Sequence, residues 1–331
     1  MVRFGVIGTN WITDRFLNHS TSLEDFSLTA VYSRTGEKAR AFADKYGVEN
    51  VYTNLNEMAE SDTLDAVYIA SPNALHAEQA MLFMRHGKHV LCEKPFASNV
   101  AEVDAMVKTA KANHVLLMEA MKTTLLPAFE KIKDNIHKIG PVRRYVASFC
   151  QYSSRYDAYK EGALPNAFNP TFSNGSLMDL GVYCIYPMVV LFGEPKAIQA
   201  MGTLLDSGVD GQGSLLAQYD GMEAIIMHSK ITDSYASSEI QGEDGSIIIN
   251  HISSPTFVKI KYRNGSEDIL YQEESEDRSM YYEAAAFIQL LKEGKQESPV
   301  NSFEHSRCVA QIIETARRQI GIVYPSDAWT P

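Results

Sequence analysis

The stretch Lys88-His89-Val90-Leu91-Cys92-Glu93-Lys94-Pro95 places a charged pair and a proline directly after a strand-forming run. The run Lys88 to Cys92 predicts a buried strand, so we expect Lys94 at its carboxyl end. Ligands of open parallel sheets bind at this edge, beside the point where the strand order reverses. A lysine there can polarise a substrate oxygen, although a surface lysine at a strand end has the same local pattern. The rest of the chain decides between these interpretations.

Strands and helices alternate regularly on both sides of this stretch. Regular alternation of this kind predicts an α/β fold, a doubly wound parallel sheet with right-handed crossovers. We therefore assign residues 1–120 to a dinucleotide-binding Rossmann domain. Its other predicted strands are Val2 to Gly8, Leu28 to Tyr32, Asp65 to Ala70 and His114 to Met118.

The pattern changes beyond Glu119. A strand at Val142 to Tyr152 leads into a long aromatic loop, Tyr156 to Asn174, and then a helix from Asp179 to about Val190. Loops of this length are often lids or binding loops. Residues 121–331 are assigned to an α+β domain for substrate binding and oligomerisation.

A large, mainly antiparallel open sheet is predicted in this second domain. Two-residue hairpin turns favour Asp-Gly and Asn-Gly, which occur at residues 220–221, 244–245 and 264–265. Terminal helices at Met280 to Leu291 and Glu304 to Gly321 can cover one face of the sheet. The other face needs water or a partner, so we expect a homo-oligomer, a dimer or larger, through this sheet. The apolar residues expected there are Leu215, Ala224, Ile226 and Ile248.

Composition limits the classes of function. The chain has 331 residues and a net charge of −11, which gives no electrostatic footprint for nucleic acid or an anionic membrane. Its four cysteines are far apart, and no metal site is predicted. A strand begins at Val2, which leaves no room for a signal peptide, and we see no apolar stretch near the ~20 residues that span a bilayer. A cytoplasmic location is expected.

The first strand-to-helix turn is where a dinucleotide fingerprint belongs, with the pyrophosphate on the helix N-terminus. Gly8 holds the first glycine position, but Asn10 and Thr13 replace the second and third glycines. Asparagine tolerates positive φ, so the turn can survive. The predicted cofactor-binding residues of this turn are Gly8, Thr9, Asn10, Trp11 and Ile12.

The end of the second strand indicates which dinucleotide binds. NAD-selective folds carry an acidic residue at this position, whereas Ser33, Arg34 and Lys38 stand here. A hydroxyl and two cations suit a 2′-phosphate, so NADP is the preferred cofactor. NAD is the alternative if Glu37 turns inward, and a simple helix N-cap with solvated charges has the same pattern.

Three further cofactor contacts are expected where the strand Asp65 to Ala70 breaks, at Ser71, Pro72 and Asn73. His76 follows in the first helical turn, where a cofactor contact and a local hydrogen bond are equally good interpretations. Glu93 and Lys94 complete the cofactor set. A cis bond before Pro95 is an alternative that we do not predict, because only about 5% of such bonds are cis.

The segment Gly175-Ser176-Leu177-Met178-Asp179-Leu180-Gly181-Val182-Tyr183 adds a third motif. With the Rossmann half and Glu93-Lys94-Pro95, the chain resembles the glucose–fructose oxidoreductase / inositol dehydrogenase (Gfo/Idh/MocA) family over essentially its whole length. The tyrosine at position 183 is similar to the glucose–fructose oxidoreductase and dimeric dihydrodiol dehydrogenase branch. The resemblance implies an NADP-linked oxidoreductase acting on CH–OH groups.

The resemblance also implies site roles. Lys94 lies by the nicotinamide, Tyr183 transfers the proton, and Asp179 stands one turn before it. Glu119-Ala120-Met121 resembles the family's domain-crossing segment, but Lys122 and Thr124 replace an aromatic residue and an arginine that often contact substrate.

The chemistry of these three catalytic candidates agrees with that assignment. On a helix, Asp179 and Tyr183 share one face because they are four residues apart. A tyrosine, with its ordinary pKa near ~10, needs a nearby cation to act as a base at neutral pH, and Lys94 can be that cation. An N-capping aspartate and a half-buried tyrosine are the structural alternative.

The substrate is less closely defined. Polar and aromatic groups together suit a sugar, a polyol or a cyclic diol, and Arg155 would favour an acidic substrate unless it forms a surface salt bridge. A non-catalytic NADP-binding sensor is the rival function, favoured by the altered fingerprint. The candidate substrate-binding residues are Tyr152, Arg155, Asn166, Phe168 and Asn169.

Overall fold

The structure is a computed structural model that describes residues 1–273 and 278–328. The strands are β1 Val2–Ile7, β2 Phe26–Tyr32, β3 Asn50–Tyr52, β4 Ala66–Ile69, β5 His89–Glu93, β6 Leu117–Ala120, β7 Val142–Cys150, β8 Ala197–Leu204, β9 Asp210–Gln218, β10 Glu223–Ser229, β11 Ser238–Gly242, β12 Gly245–Ile249, β13 Phe257–Tyr262 and β14 Glu267–Gln272. The α-helices are α1 Trp11–Ser20, α2 Gly36–Asp44, α3 Leu55–Glu60, α4 His76–Arg85, α5 Val100–Asn113, α6 Pro127–Asn135, α7 Tyr156–Lys160, α8 Val182–Phe192, α9 Ser279–Lys292 and α10 Phe303–Ile320.

These residues form two compact units: residues 1–120 with 278–306, and residues 121–273 with 307–328. The sequence analysis assigned 278–306 to the second domain. Instead α9 packs on the first unit, where Phe287 lies 5.7 Å from the ring of Phe4 and Lys292 pairs with Asp25. The apolar side chain of Phe287 is fully buried there, and sequence order alone does not reveal which core a terminal helix completes.

The first unit is a six-stranded parallel sheet in the order β3-β2-β1-β4-β5-β6. This is the doubly wound order of dinucleotide-binding folds, in which the direction of winding reverses between β1 and β4. The short strand β3 was not predicted, because three residues are too few to show a hydrophobic pattern. The last strand begins at Leu117 rather than at His114, since His114 ends α5 in the left-handed conformation with φ of 54°.

The second unit contains an eight-stranded sheet in the order β14-β13-β12-β11-β7-β10-β9-β8. Neighbours are antiparallel except for β10 and β7, so the predicted mainly antiparallel sheet is confirmed. All three predicted hairpin turns join neighbouring strands.

Of the four residues that we predicted on the open face of this sheet, three do not lie there. Leu215, Ala224 and Ile226 are buried in the core beneath the helices, and Ile248 alone lies on the opposite face, half-buried. Side chains alternate along a strand, so an error of one residue in phase exchanges the two faces. One row of residues, in register across all eight strands, lies on the opposite face: Gln199, Leu216, Ile225, Val146, Glu239, Ile248, Lys259 and Ile269.

The core helix of the second unit is longer than predicted. The segment from Pro170 to Phe192, which includes the π-helical turn Leu177–Gly181 and α8, is long and apolar enough to cross a membrane by length and composition. This corrects the expectation that no apolar stretch approaches that length. Of its most apolar window, 72% is buried inside the protein, as in the core helix of a globular unit.

Candidate active site

Gly8 shapes the turn between β1 and α1. Its φ is +102°, and a Cβ there would lie 2.6 Å from the carbonyl oxygen of Ala70. Both the conformation and the close approach require glycine. The turn therefore retains the first element of a phosphate-binding cradle.

Asn10 supports the same turn in a way that the sequence did not reveal. It has a φ of −107°, so it does not use the positive φ that we expected of it. Its Oδ1 accepts hydrogen bonds from Ile12 and Thr13, while its Nδ2 donates to the carbonyl of Ala70 at 3.0 Å. Asn10 is thus the N-cap of α1 and ties the turn to the end of β4. Trp11, beside it, is 61% exposed.

The end of β2 carries the predicted 2′-phosphate residues. Ser33 is buried, with Oγ 3.4 Å from the Thr9 hydroxyl, whereas Arg34 and Lys38 are exposed. Thr35 caps α2 by accepting from the Lys38 amide. Among the described residues, no carboxylate lies within ion-pair distance of Arg34 or Lys38. Their charges therefore remain available to an anionic ligand.

His76 links two loops at the carboxyl edge of the parallel sheet. It is fully buried, with Nδ1 3.0 Å from the carbonyl oxygen of Pro95 and Nε2 2.9 Å from that of Ser71. Burial lowers the pKa of His76 and favours the neutral ring, which donates its single N–H to one of these two carbonyls. The local hydrogen-bonding interpretation therefore accounts for its side chain. Pro72 and Asn73, on the loop between these contacts, are half-buried.

Lys94 follows the last residue of β5 and is half-buried. Its backbone amide donates to Glu93 Oε2 at 3.2 Å, and Glu93 Oε1 accepts from the Tyr68 hydroxyl. The Lys94–Pro95 bond is cis, the alternative that the low frequency of such bonds disfavoured.

Glu119 is a second buried acid in this region of the first unit. Burial raises its pKa to about 8, and its Oε1 accepts from the Phe96 amide at 3.0 Å. The carboxyl group is therefore mainly neutral at pH 7. A neutral acid can be buried near Lys94 without neutralising the lysine's charge.

In the second unit, Asp179 lies on a π-helical turn, Leu177–Gly181, that continues into α8. Turns of this type are rare and often occur at functional sites. A Cβ on Gly175 would lie 2.2 Å from Asp210 Oδ1, and one on Gly181 would lie 3.3 Å from the His228 ring. The two glycines of the motif allow the turn to pack against these buried side chains.

Asp210 holds the start of this turn. Its Oδ2 accepts from the Leu177 amide at 2.7 Å, and burial raises its pKa to about 6. His228 Nδ1 lies 2.9 Å from Ser176 Oγ and 3.5 Å from Asp210 Oδ2. A catalytic triad needs the hydroxyl and the carboxylate on opposite ring nitrogens. Here both face the same nitrogen of a fully buried ring, so the group is structural.

Asp179 is paired with Lys230, a residue that sequence reasoning missed. Lys230 Nζ donates to Asp179 Oδ2 at 2.7 Å, with the aspartate side chain 37% exposed and the lysine only 4% exposed. Lys230 directly follows the apolar strand β10. The sequence did contain a signal for Lys230, a cation at the end of a buried strand, which is the same signal that identified Lys94.

Tyr183 lies in the first turn of α8, partly buried, with its ring edge-on to Phe149 at 5.6 Å. Pro187, four residues later, cannot donate the usual helical hydrogen bond to the Tyr183 carbonyl. The helix is therefore irregular on both sides of this tyrosine.

The predicted substrate-binding residues occupy different environments. Tyr152 is half-buried and its hydroxyl donates to Asp157, while Arg155 and Asn166 are exposed. Asn169 Oδ1 accepts from the Thr171 amide, a local cap. Phe168 is fully buried in the core, with its ring centroid 5.4 Å from Lys230 Nζ. Its ring packs beneath the loop instead of lining an open surface.

No group of three or more histidine, cysteine, aspartate or glutamate residues is arranged to hold a metal ion within residues 1–273 and 278–328. The cysteines are free thiols.

Comparison with known proteins defines the class. Residues 2–121 match an oxidoreductase family with an NAD-binding Rossmann fold, and residues 129–248 match the GFO/IDH/MocA C-terminal domain. The protein is an oxidoreductase built on a nicotinamide-dinucleotide-binding fold.

Whole-chain relatives agree with these matches. The chain is 60% identical over 328 residues to scyllo-inositol 2-dehydrogenase (NADP(+)) of Bacillus subtilis, covering 99% of each chain. It is 30% identical over 335 residues to trans-1,2-dihydrobenzene-1,2-diol dehydrogenase of Xenopus tropicalis, covering 98% of this chain and 99% of that one. A 3-ketoreductase of Actinomadura kijaniata, solved with NADP, superposes with a TM-score of 0.81 at 25% identity, covering 96% and 97%. The chain belongs to the GFO/IDH/MocA family.

Proposed function

We propose that this protein is an NADP-dependent dehydrogenase that interconverts a carbinol and a ketone on a small polyol, with a cyclitol of the inositol type as its substrate. The observation that carries this proposal is the 60% identity, over 99% of both chains, to an NADP-dependent scyllo-inositol 2-dehydrogenase. The dihydrodiol dehydrogenase relatives also act on a ring that bears hydroxyl groups, as their name states.

The residues of the first unit fit the cofactor. Gly8 leaves space where any Cβ would strike the Ala70 carbonyl, and Arg34 and Lys38 have no carboxylate partner among the described residues. Bound NADP would supply the hydride acceptor at its nicotinamide ring. Ser33, Arg34 and Lys38 would hold the 2′-phosphate, and the turn of Gly8, Thr9, Asn10, Trp11 and Ile12 would hold the pyrophosphate.

In the proposed reaction, Tyr183 takes the hydroxyl proton of the substrate as the carbinol hydrogen leaves as hydride. Lys94 donates a hydrogen bond to the reacting oxygen and stabilises negative charge on it and on the phenolate. Asp179 accepts a hydrogen bond from a second substrate hydroxyl. Ser71, Pro72, Asn73, His76 and Glu93 shape the cofactor-binding edge around Lys94.

A substrate screen tests this proposal. The purified protein is incubated with NADP or NAD and with scyllo-inositol, myo-inositol, open-chain polyols, aldoses and trans-dihydrodiols, and NAD(P)H formation is followed by absorbance. We expect turnover of a cyclitol with NADP. Tight NADPH binding without turnover of any of these compounds would instead favour a cofactor-binding sensor.

The cofactor preference has its own test. Arg34→Ala removes one cation from the proposed 2′-phosphate site, so we expect the NADPH dissociation constant to rise about 10- to 100-fold while that of NADH stays within about twofold. Arg85→Ala, another exposed arginine of the same unit, is the matched control. Equal effects of Arg34→Ala on both cofactors would contradict the assignment.

We also propose that the protein forms a homo-oligomer through the open face of the eight-stranded sheet. The support is the exposure of Leu216 at 49% and Met201 at 80%, on the adjacent strands β9 and β8, and of Ile269 at 62%, on the same face at the other edge of the sheet. Exposed apolar patches on a sheet are characteristic of protein interfaces.

A further inference from the structure

Lys230 joins several segments of the second unit through one side chain. Nζ lies 2.7 Å from Asp179 Oδ2 and 3.3 Å from the carbonyl oxygen of Ala167, and it stands over the Phe168 ring at 5.4 Å. The cation therefore contacts both the π-helical turn that carries Asp179 and the loop that carries the predicted substrate-binding residues.

The backbone of Lys230 is fixed as well. Its amide donates to the Gly211 carbonyl at 2.8 Å, and its carbonyl accepts from the Ser153 amide at 2.9 Å. A buried lysine costs desolvation energy, which is recovered here by a carboxylate, a carbonyl and an aromatic face. Because both its backbone and its head group are held, Lys230 is a rigid support, unlike an exposed lysine on a flexible stem.

We propose that Lys230 is a positioning residue of the active site, which holds the Asp179 side chain aimed at the substrate and holds the Ala167–Asn169 loop in place. This inference rests on the proposed function, in which Asp179 accepts a hydrogen bond from the substrate. Lys230 itself, at 4% exposure, does not contact substrate.

The charges around the pair agree with this role. Asp210 interacts electrostatically with Lys230. Burial raises the pKa of Asp210 to about 6, so the charge of Asp210 varies around pH 6. His228 is neutral, since burial lowers its pKa to about 3. Of the two carboxylates near this cation, Asp210 is fully buried, whereas Asp179 is partly exposed and so accessible to a substrate.

Lys230→Met tests the proposal, since methionine retains the length and apolar stem without the charge. We expect kcat for the cyclitol to fall about 10- to 100-fold and the NADPH dissociation constant to stay within about twofold. The acidic limb of the kcat/KM profile should move to higher pH, because a carboxylate is less favoured once the neighbouring cation is removed. Lys230→Arg should recover most of kcat, and adding Lys230→Met to Asp179→Asn should cause little further loss.

Lys196→Met is the matched control, because it breaks an exposed lysine–aspartate pair, with Asp220, in the same unit. Wild-type kcat and an unchanged pH profile in Lys230→Met would overturn the proposal.

Hydrogen exchange of the protein without substrate separates this inference from the proposed function. We expect the amides of residues 166–169 to exchange at least about tenfold faster in Lys230→Met than in wild type or Lys196→Met. Should the wild type turn over no polyol, the proposed function fails, and this exchange measurement alone decides the role of Lys230. Unchanged protection of the loop would then refute it.

Discussion

At the scale of single residues, the glycines of the Gly175–Tyr183 motif are explained by side chains far along the chain. Gly175 has a φ of +145°, and its missing Cβ makes room for Asp210. The motif itself was visible in the sequence, and so were Lys94, Asp179 and Tyr183. The reason for its glycines was not, because Asp210 and His228 approach only in the folded sheet. Lys230 was missed for the same reason, since it lies 51 residues from Asp179.

Gly175→Ala should lower the free energy of unfolding by about 3 kcal/mol, since it combines left-handed strain with a clash against a buried carboxyl group. Gly162→Ala is the control, because Gly162 also has a positive φ, +94°, but nothing lies within 4 Å of its missing Cβ. There we expect a loss of about 1 kcal/mol. Urea denaturation measures both, and equal losses would show that strain alone matters.

At the scale of elements, long helices and hairpin strands were predictable because their hydrophobic periods or turn residues are local signals. The exceptions have physical reasons. The strand β3 is three residues long, and the π-helical turn depends on Asp210, which accepts from the Leu177 amide. Asn10 in the first turn was recognised as a departure from the glycine fingerprint, but its role as an N-cap emerged only from its contacts.

The turn that carries Asp179 should respond to the charge of Asp210. The pKa of Asp210 is raised by burial to about 6, above the ~3.9 of an unfolded chain, so its favourable contribution is complete below about pH 4 and is lost as the pH rises through 6. Asp210→Asn cannot ionise and can still accept from the Leu177 amide. The free energy of unfolding of Asp210→Asn relative to that of the wild type should therefore rise by about 2 kcal/mol between pH 4 and pH 7.

Urea titrations at several pH values measure this difference. Asp134→Asn, at an exposed position, should show no such trend. A flat difference for Asp210→Asn would mean that Asp210 has the same pKa in the folded and unfolded chain.

At the scale of the whole molecule, the doubly wound sheet and the mainly antiparallel sheet followed from the order and type of the predicted elements. The sequence analysis misjudged which unit α9 completes and which face of the second sheet is open. Both depend on long-range packing: Phe287 is buried against Phe4, and the strand phase is set by the helices that cover Leu215 and Ile226.

The open face leads to a prediction about assembly. Leu216→Glu places a charge on the face proposed as the interface, so we expect light scattering to give a multiple of 36.9 kDa for the wild type and 36.9 kDa for the variant. Val323→Glu changes another apolar residue, 72% exposed but outside the sheet, and should leave the mass unchanged. A wild-type protein that is monomeric at all concentrations would refute this interface.

The most direct test of the proposed reaction is the rate of hydride transfer in Tyr183→Phe, measured by stopped flow as NADPH forms from NADP and the cyclitol. Phenylalanine keeps the ring that packs on Phe149 and removes only the hydroxyl group that exchanges the proton. We predict a rate about 10²- to 10⁴-fold below that of the wild type, with NADPH binding unchanged. A Tyr183→Phe variant that transfers hydride at the wild-type rate would contradict the assignment of Tyr183 as the acid–base residue.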